Sequence, residues 1–457
     1  MTQTSFMQHS PIPTPRGRPV IGHLAEFKKN SLDCMIRWHH EWGDIVNFRI
    51  FSQNFYLLSH PDLVEEAMTE QQDVFLKMYN PQKPRGLQLF MGQGLVTSTG
   101  QLWSQQRRLL QPVFQRRNLL TLLPEMEKAG AQLLARWRTF EPDAKVDISG
   151  EMLHLALEVL TRTMFSTSVL DRVDVIAPAL EVCLRYAAAT VLSPLDPPLW
   201  VPTRRNREFK RALATLDQII YGMIDERKAN PGQYNDLLHL LLSSTDPEAG
   251  TGMSRRQLRD EVITLFVAGH ETSANVLTWT LYYLARYPEA MTKLRAELRE
   301  VLNGGIPNGD QLDQLPYTKA VLFEAMRLKP AVALMIRKVA RDTRLQNYSL
   351  KAGSLAMVSI YNIHHHPELW ENPEAFKPER FLGQKASKYT FLPFGIGPRF
   401  CIGNQFATME LTLLLAMLAQ HFDFALCDEQ EPEHDMAVTL RPKGGLKLRV
   451  RPATSVL

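Results

Sequence analysis

Apolar and polar positions follow two different periods along this chain. Residues 44–50 and 54–59 alternate with a period of two around a short break, which predicts a pair of strands. Residues 61–68 carry a helical period and open with Pro61, a residue suited to a first helical turn. From about residue 102 to residue 287 the spacing is mainly that of helices. Its clearest interruption is the proline-rich run 192–202. After Pro330 the strand period returns. Residues 349–360 predict a hairpin turning at Lys351-Ala352-Gly353, and residues 446–450 predict a final strand. No internal repeat or low-complexity tract breaks this order. The expected fold is mainly α with a small β region. Strands flank the helical block and must pair somewhere, so one large domain over residues 1–457 is expected.

Residues 254–287 predict the longest helix, on the order of 50 Å at about 1.5 Å per residue. Its middle, 262–268, is apolar on every side and should be buried. It runs into Ala268-Gly269-His270-Glu271-Thr272. A glycine costs roughly 1 kcal/mol inside a helix. Gly269 therefore suggests a ligand approaching the backbone, or a local bulge. Glu271 and Thr272 place an acid and an alcohol in apolar surroundings. A zincin reading of His270-Glu271 fails, because it needs a second histidine four residues on and that residue is Ala274. His364-His365-His366 are consecutive, so their side chains diverge and they are expected to be structural.

Composition narrows the picture. The chain has 457 residues, with 45% hydrophobic and 22% charged, which is enough apolar material for a large core. The net charge of +4 is too small to argue for nucleic acid. Cys34, Cys183, Cys401 and Cys427 are far apart and form no C-x-x-C, so neither a zinc knuckle nor a disulfide framework is expected. That usage suits a reducing compartment. The first 30 residues hold no apolar run near the roughly 20 needed to span a bilayer. They form a Pro-rich lead-in over residues 1–20 instead. A cytoplasmic protein without a membrane span is expected.

The most informative segment is Phe394-Gly395-Ile396-Gly397-Pro398-Arg399-Phe400-Cys401-Ile402-Gly403, followed by an apolar helical pattern from Asn404. Glycines let backbone N–H groups crowd around one atom, and a nearby helix start favours a thiolate over a thiol. The segment matches F-G-x-G-x-R-x-C-x-G at all six defining positions and so resembles the haem-ligand loop of the cytochrome P450 superfamily. Four further motifs support the resemblance, which extends over nearly the whole chain. Ala268 to Thr272 is similar to that family's A-G-x-E-T segment, Trp103 and Arg107 to its W-x-x-x-R, Glu324 and Arg327 to its E-x-x-R, and Pro378 to Phe381 to its P-E-R-F.

The resemblance implies the cytochrome P450 fold, with heme b held by Cys401 as the metal ligand. Phe394, Gly395, Gly403, Ala268 and Gly269 would lie against the cofactor. Trp103, Arg107, Arg337 and Arg399 would hold its carboxylates, and arginine forks suit such groups. Thr272 would steady the dioxygen being activated while Glu271 relays protons. Glu324, Arg327 and Arg380 would form a buried structural network. Leu87, Phe90, Phe266, Ala268, Leu334 and Val438 would line an apolar substrate pocket.

The implied activity is that of a soluble, bacterial-type haem-thiolate monooxygenase. One oxygen atom of O2 would enter a lipophilic substrate such as a terpenoid, fatty acid, steroid or polyketide. Electrons would come from a ferredoxin- or flavodoxin-type donor with its reductase, since no fused reductase segment is expected. Two alternatives are a peroxide-driven or rearranging haem-thiolate enzyme and a haem-based ligand sensor. The first generally lacks the acid–alcohol pair kept at Glu271 and Thr272. The second needs no proton relay and usually carries an output domain.

Overall fold

The computed structural model describes residues 11–78, 84–166, 170–191, 197–230, 236–246, 248, 250–383, 387–436 and 438–453. In chain order the strands are β1 (Ile45–Ile50), β2 (Gln53–Leu58), β3 (Phe75–Leu76), β4 (Ala144–Asp147), β5 (Leu334–Val339), β6 (Thr343–Leu345), β7 (Tyr348–Leu350), β8 (Leu355–Ser359), β9 (Phe422–Leu426), β10 (His434–Met436), β11 (Leu440–Pro442) and β12 (Lys447–Pro452). The chain forms two compact units, each built from two separate stretches of sequence. Among the described residues no helix is long and apolar enough to cross a membrane.

The first unit comprises residues 1–78 and 323–401. Its five-stranded sheet has the order β1-β2-β8-β5-β3. β1 and β2 form the predicted antiparallel pair, from Ile45 opposite Leu58 to Ile50 opposite Gln53. β2 then runs parallel to β8, so early and late strands do pair. The predicted hairpin over 349–360 does not form. β7 turns back on β6 instead, and β8 enters the sheet between β2 and β5. The reason lies in burial. Every residue of Leu355-Ala356-Met357-Val358-Ser359 is buried, which suits a central strand covered on both faces. The helix expected over 61–68 is regular only through Glu65 and then widens, with Gln71 N donating to Glu66 O at 2.8 Å. Leu58, Val64, Ala356, Val358 and Leu392 are buried together in this unit's core.

The second unit comprises residues 79–322 and 402–457. Its axis is the 32-residue central helix Arg255–Arg286. Ser254 caps it, accepting from Gln257 N while the Gln257 side chain accepts from Ser254 N, a reciprocal box that satisfies two backbone donors. The helix is buried on nearly every side, as the all-round apolar middle predicts. It packs along the helix Ile148–Phe165. The terminal helix Asn404–His421 is likewise buried along its length. β12 lies between β4 and β9, which makes the predicted last strand the centre of a three-stranded sheet. Of the predicted break at 192–202, residues 192–196 lie outside the described residues.

Candidate active site

Glycine geometry shapes the cysteine loop, which lies in the first unit. Gly395 and Gly397 have φ of +74° and +70°, the left-handed region that side chains disfavour. A Cβ on Gly397 would sit 2.5 Å from Met68 O, so only glycine lets the loop rest on the widened turn at Glu66–Glu70. Cys401 N donates to Phe394 O at 2.9 Å and closes the loop on itself. The Phe394 and Phe400 rings meet edge to face at 6.3 Å. Cys401 is exposed, unlike Cys34 and Cys183. Burial pushes those two thiols up to about 11 and about 12, so they stay protonated and inert. Cys401 is thus the accessible sulfur in a loop of tightly turned backbone.

Three cations gather in the same unit. Lys77 follows β3, Arg337 lies within β5, and Arg399 precedes the cysteine by two residues. Desolvation, then repulsion from Arg337 and Arg399, lowers the Lys77 ammonium to about 7. Lys77 is only partly shielded from solvent, so the crowding of protein atoms around it, rather than full enclosure, is the cause. Desolvation also lowers the Arg337 guanidinium. The charged groups acting on Lys77 are all cationic, so this corner calls for an anion. The carboxylates of a haem would suit such a corner, so the residues present fit the cofactor. Sequence reasoning did not single out Lys77, which sits in no motif and joins Arg337 and Arg399 only through the fold.

The other expected cofactor contacts belong to the second unit. Trp103 and Arg107 lie one turn apart on the helix Gly100–Leu110, both partly buried. Gly403 precedes the terminal helix with φ −85°, a conformation open to any residue. The central helix shows an accessible stripe in its otherwise buried middle: Leu265, Ala268, Gly269 and Thr272, spaced as one helix face. Thr272 Oγ1 donates to Ala268 O at 2.5 Å, which leaves the lone pairs of the hydroxyl outward. Gly269 does not mark a bulge, because the helix is continuous. A Cβ there would lie 2.9 Å from Leu160 Cδ2, so the glycine admits the neighbouring helix Ile148–Phe165.

Around the stripe, each polar residue has a separate environment. Glu271 is buried and lies 3.8 Å from Arg441 Nη1. Arg441 is half-exposed on β11 and holds Asp435 at 3.0 Å, so the chain Glu271–Arg441–Asp435 leads from a buried carboxylate towards solvent. His270 is buried and bonded to the backbone of Leu153; desolvation takes its imidazole down to about 4 and keeps it neutral. Ser273 donates to Glu410 Oε2 at 2.7 Å. Burial raises the Glu410 carboxyl to about 8, against the milder effect of that hydrogen bond. Neither Arg441 nor Glu410 was expected. Both lie more than 130 residues from their partners, beyond any local period.

The predicted structural network is fully formed in the first unit. Arg327 donates to both Glu324 oxygens at 2.8 Å, and Arg380 Nε donates to Glu324 Oε1 at 3.2 Å. Lys377 N also donates to that oxygen, at 2.9 Å. Arg327 further reaches the carbonyls of His364, Pro373 and Ala375. The consecutive histidines do diverge. His364 accepts from Leu392 N at 2.8 Å, and His365 stacks on Tyr361 at 4.0 Å. His366 turns towards His39 and Asp44.

Among the predicted pocket residues, Phe266 lines an all-apolar cleft in the second unit. The cleft also involves Leu180 of the helix Leu170–Val191, Leu216, Ile220 and Met223 of the helix Arg204–Ala229, and Ile263 of the central helix. Sequence reading missed these two flanking helices because an apolar helix stripe signals burial, not which neighbour it faces. Phe90 is buried, Leu87 and Val438 are partly so, and all three belong to the second unit; Leu334 opens β5 in the first.

Comparison with known proteins accords with this geometry. The family model described as Cytochrome P450 matches residues 12–449. Cyclooctatin synthase from Streptomyces melanosporofaciens is 34% identical over 450 residues, covering 97% of this chain and 92% of that protein. Cyclooctat-9-en-7-ol 5-monooxygenase from the same organism is 33% identical, over 89% of this chain and 88% of its own length. Cytokinin hydroxylase from Arabidopsis thaliana is 30% identical, over 98% and 92%. A tightly turned cysteine loop, a cluster of cations in the same unit and a match of this extent lead to one assignment: the chain belongs to the cytochrome P450 family and is a haem-dependent monooxygenase.

Proposed function

We propose that this monooxygenase acts on an uncharged lipophilic substrate of the terpenoid-alcohol class and receives electrons from a separate ferredoxin- or flavodoxin-type protein. The carrying observation is the apolar lining around Phe266, Ile263 and Leu216, a narrow cleft of about water size in this structure that offers a ligand no polar group. Such a lining favours hydrocarbon surface and penalises a desolvated charge. Two relatives from Streptomyces support the substrate class, one of them named for an unsaturated cyclic alcohol.

Haem supplies the activation of dioxygen when bound. Cys401 would hold its iron, and Lys77, Arg337 and Arg399, with Trp103 and Arg107, its carboxylates. Phe394, Gly395, Gly403, Ala268 and Gly269 would border the cofactor. Thr272 would present its hydroxyl along the accessible stripe, and Glu271 would pass protons inward from the Arg441–Asp435 edge. Glu324, Arg327 and Arg380 would keep the segment leading to Cys401 in place. Leu87, Phe90, Phe266, Leu334 and Val438 would enclose the substrate.

Exposed Arg117 and Lys388 support an acidic electron donor. Arg108 and Arg116 contribute less, being paired with Asp246 and Glu248 and with Asp313. Lys385, in the same stretch as Lys388, lies outside the described residues.

The test is a spectral titration of the haem-loaded chain with cyclic terpene alcohols, fatty acids and purine-type ligands. A Soret shift with the terpene alcohols, followed by oxygenated product with a ferredoxin and its reductase, is the expected result. A shift with the purine-type ligands alone overturns the substrate class. Cys401→His tests the cofactor ligand: it should abolish the red-shifted Soret band of the ferrous–CO form, and survival of that band would place the iron elsewhere.

A further inference from the structure

We infer that His39, Asp44 and His366 form a site for a borderline divalent transition ion such as Zn2+, separate from the haem machinery. The three residues come from distant points of the first unit: the end of the helix Ser31–Trp42, the residue before β1, and the turn after the helix Ile360–His364. Their ligand atoms all lie within 4.8 Å of one another. Asp44 Oδ1 is the hub, 3.5 Å from His39 Nδ1 and 3.1 Å from His366 Nε2. A tetrahedral zinc ion with bonds of about 2.0–2.1 Å spaces its ligands by roughly 3.3–3.4 Å. Two of the three edges therefore stand near that spacing before any ion enters.

Two further observations favour an ion over a plain hydrogen-bonded cluster. His39 Nδ1 is shielded from solvent and makes no well-formed hydrogen bond, its contact with Asp44 Oδ1 being a long 3.5 Å. A buried ring nitrogen so loosely held is an uncommon arrangement, and a metal would satisfy it. The donor set is also chemically suited, since two imidazoles and one carboxylate match zinc and leave a fourth position for water. Asp44 is 41% exposed, so the ion has a way in.

The arrangement also sets the strength. His366 Nδ1 accepts from Glu368 N at 3.2 Å, so in the metal-free ring the proton sits on Nε2, facing Asp44. Binding through Nε2 moves that proton to Nδ1 and gives up the Glu368 contact. The loss of one hydrogen bond weakens binding by roughly tenfold. A bound ion would tie together the helix Ser31–Trp42, the start of β1 and the segment after residue 364.

The experiment is zinc titration of the tag-free, haem-loaded chain against a competing chelator dye, with thermal unfolding as a second readout. The wild type should take up one Zn2+ per chain and unfold at a higher temperature with the ion. His39→Ala and Asp44→Asn should each weaken uptake at least tenfold and remove the thermal gain. His40→Ala, on an exposed neighbour, should leave both unchanged. Each variant is checked for the ferrous–CO Soret band; His39→Gln replaces His39→Ala if that chain does not fold. Uptake unaffected by His39→Ala and Asp44→Asn overturns the assignment. So does uptake abolished by His60→Ala alone, which would move the ion to the neighbouring set of His60, His366 and Glu368.

Discussion

Glu324→Ala is the sharpest test of how the first unit holds the cysteine segment. Glu324 and Arg327 are both fully buried, and Arg380 is nearly so. Removing the carboxylate leaves two guanidiniums facing each other without a counter-charge. Breaking a buried pair in this way costs about 3–5 kcal/mol. Lys377 N loses its acceptor too, which adds roughly 1–3 kcal/mol if no water replaces it. The expected total of about 4–8 kcal/mol is a large part of the roughly 5–15 kcal/mol that holds a typical fold. Three carbonyls, those of His364, Pro373 and Ala375, also depend on Arg327 keeping its place. The assay is urea unfolding followed by tryptophan fluorescence and by Soret absorbance. The alanine variant should lose haem at far lower urea than the wild type, or fail to load it. Glu324→Gln keeps the shape and one acceptor oxygen, so it should fall between. A loss below about 1 kcal/mol for Glu324→Ala would refute the argument, because it would mean that the network is solvated or redundant.

Thr272→Ala and Thr272→Val should both load haem and bind CO normally, while peroxide released per nicotinamide consumed rises; unchanged stoichiometry in both would reduce Thr272 to a packing residue. Glu410 favours its protonated form in the fold, with a carboxyl raised to about 8 from an ordinary value near 4.5. The folded state therefore binds more protons between those values, and stability falls as pH rises through that window. Glu410→Gln keeps an acceptor for Ser273 and should raise the unfolding midpoint at pH 8 but hardly at pH 4.5; equal midpoints at both pH values would show that the carboxyl is ionised at no cost. Lys77 has the opposite sign. Its ammonium, lowered to about 7, binds fewer protons in the fold than in the unfolded chain up to about 10.5, so haem-free protein should gain stability between those values. Lys77→Met should flatten that gain, as should haem if its carboxylates lie against Lys77; a flat profile in the haem-free wild type would contradict the cationic corner.

Short-range features were legible in the chain by itself. The β1–β2 alternation, the long central helix and the glycine-framed Cys401 loop each occupy one contiguous stretch, where period and turn chemistry act between neighbours. The Glu324–Arg327 pair was readable for the same reason, being one helical turn apart. What spacing could not reveal is which distant segment supplies a partner. Residues 349–360 carry strand signals on both sides of a glycine turn, yet β8 joins β2 and β5, because only a central position buries all five of its side chains. Gly269 reads from the sequence as a ligand's point of approach, but its second role, admitting Leu160 of a neighbouring helix, has no local signal. Lys77 beside Arg337 and Arg399, Arg441 beside Glu271, Glu410 beneath Ser273 and His39 beside His366 all join residues far apart in the chain. Their energies depend on desolvation and on distances of a few ångströms, quantities that exist only once the chain has folded.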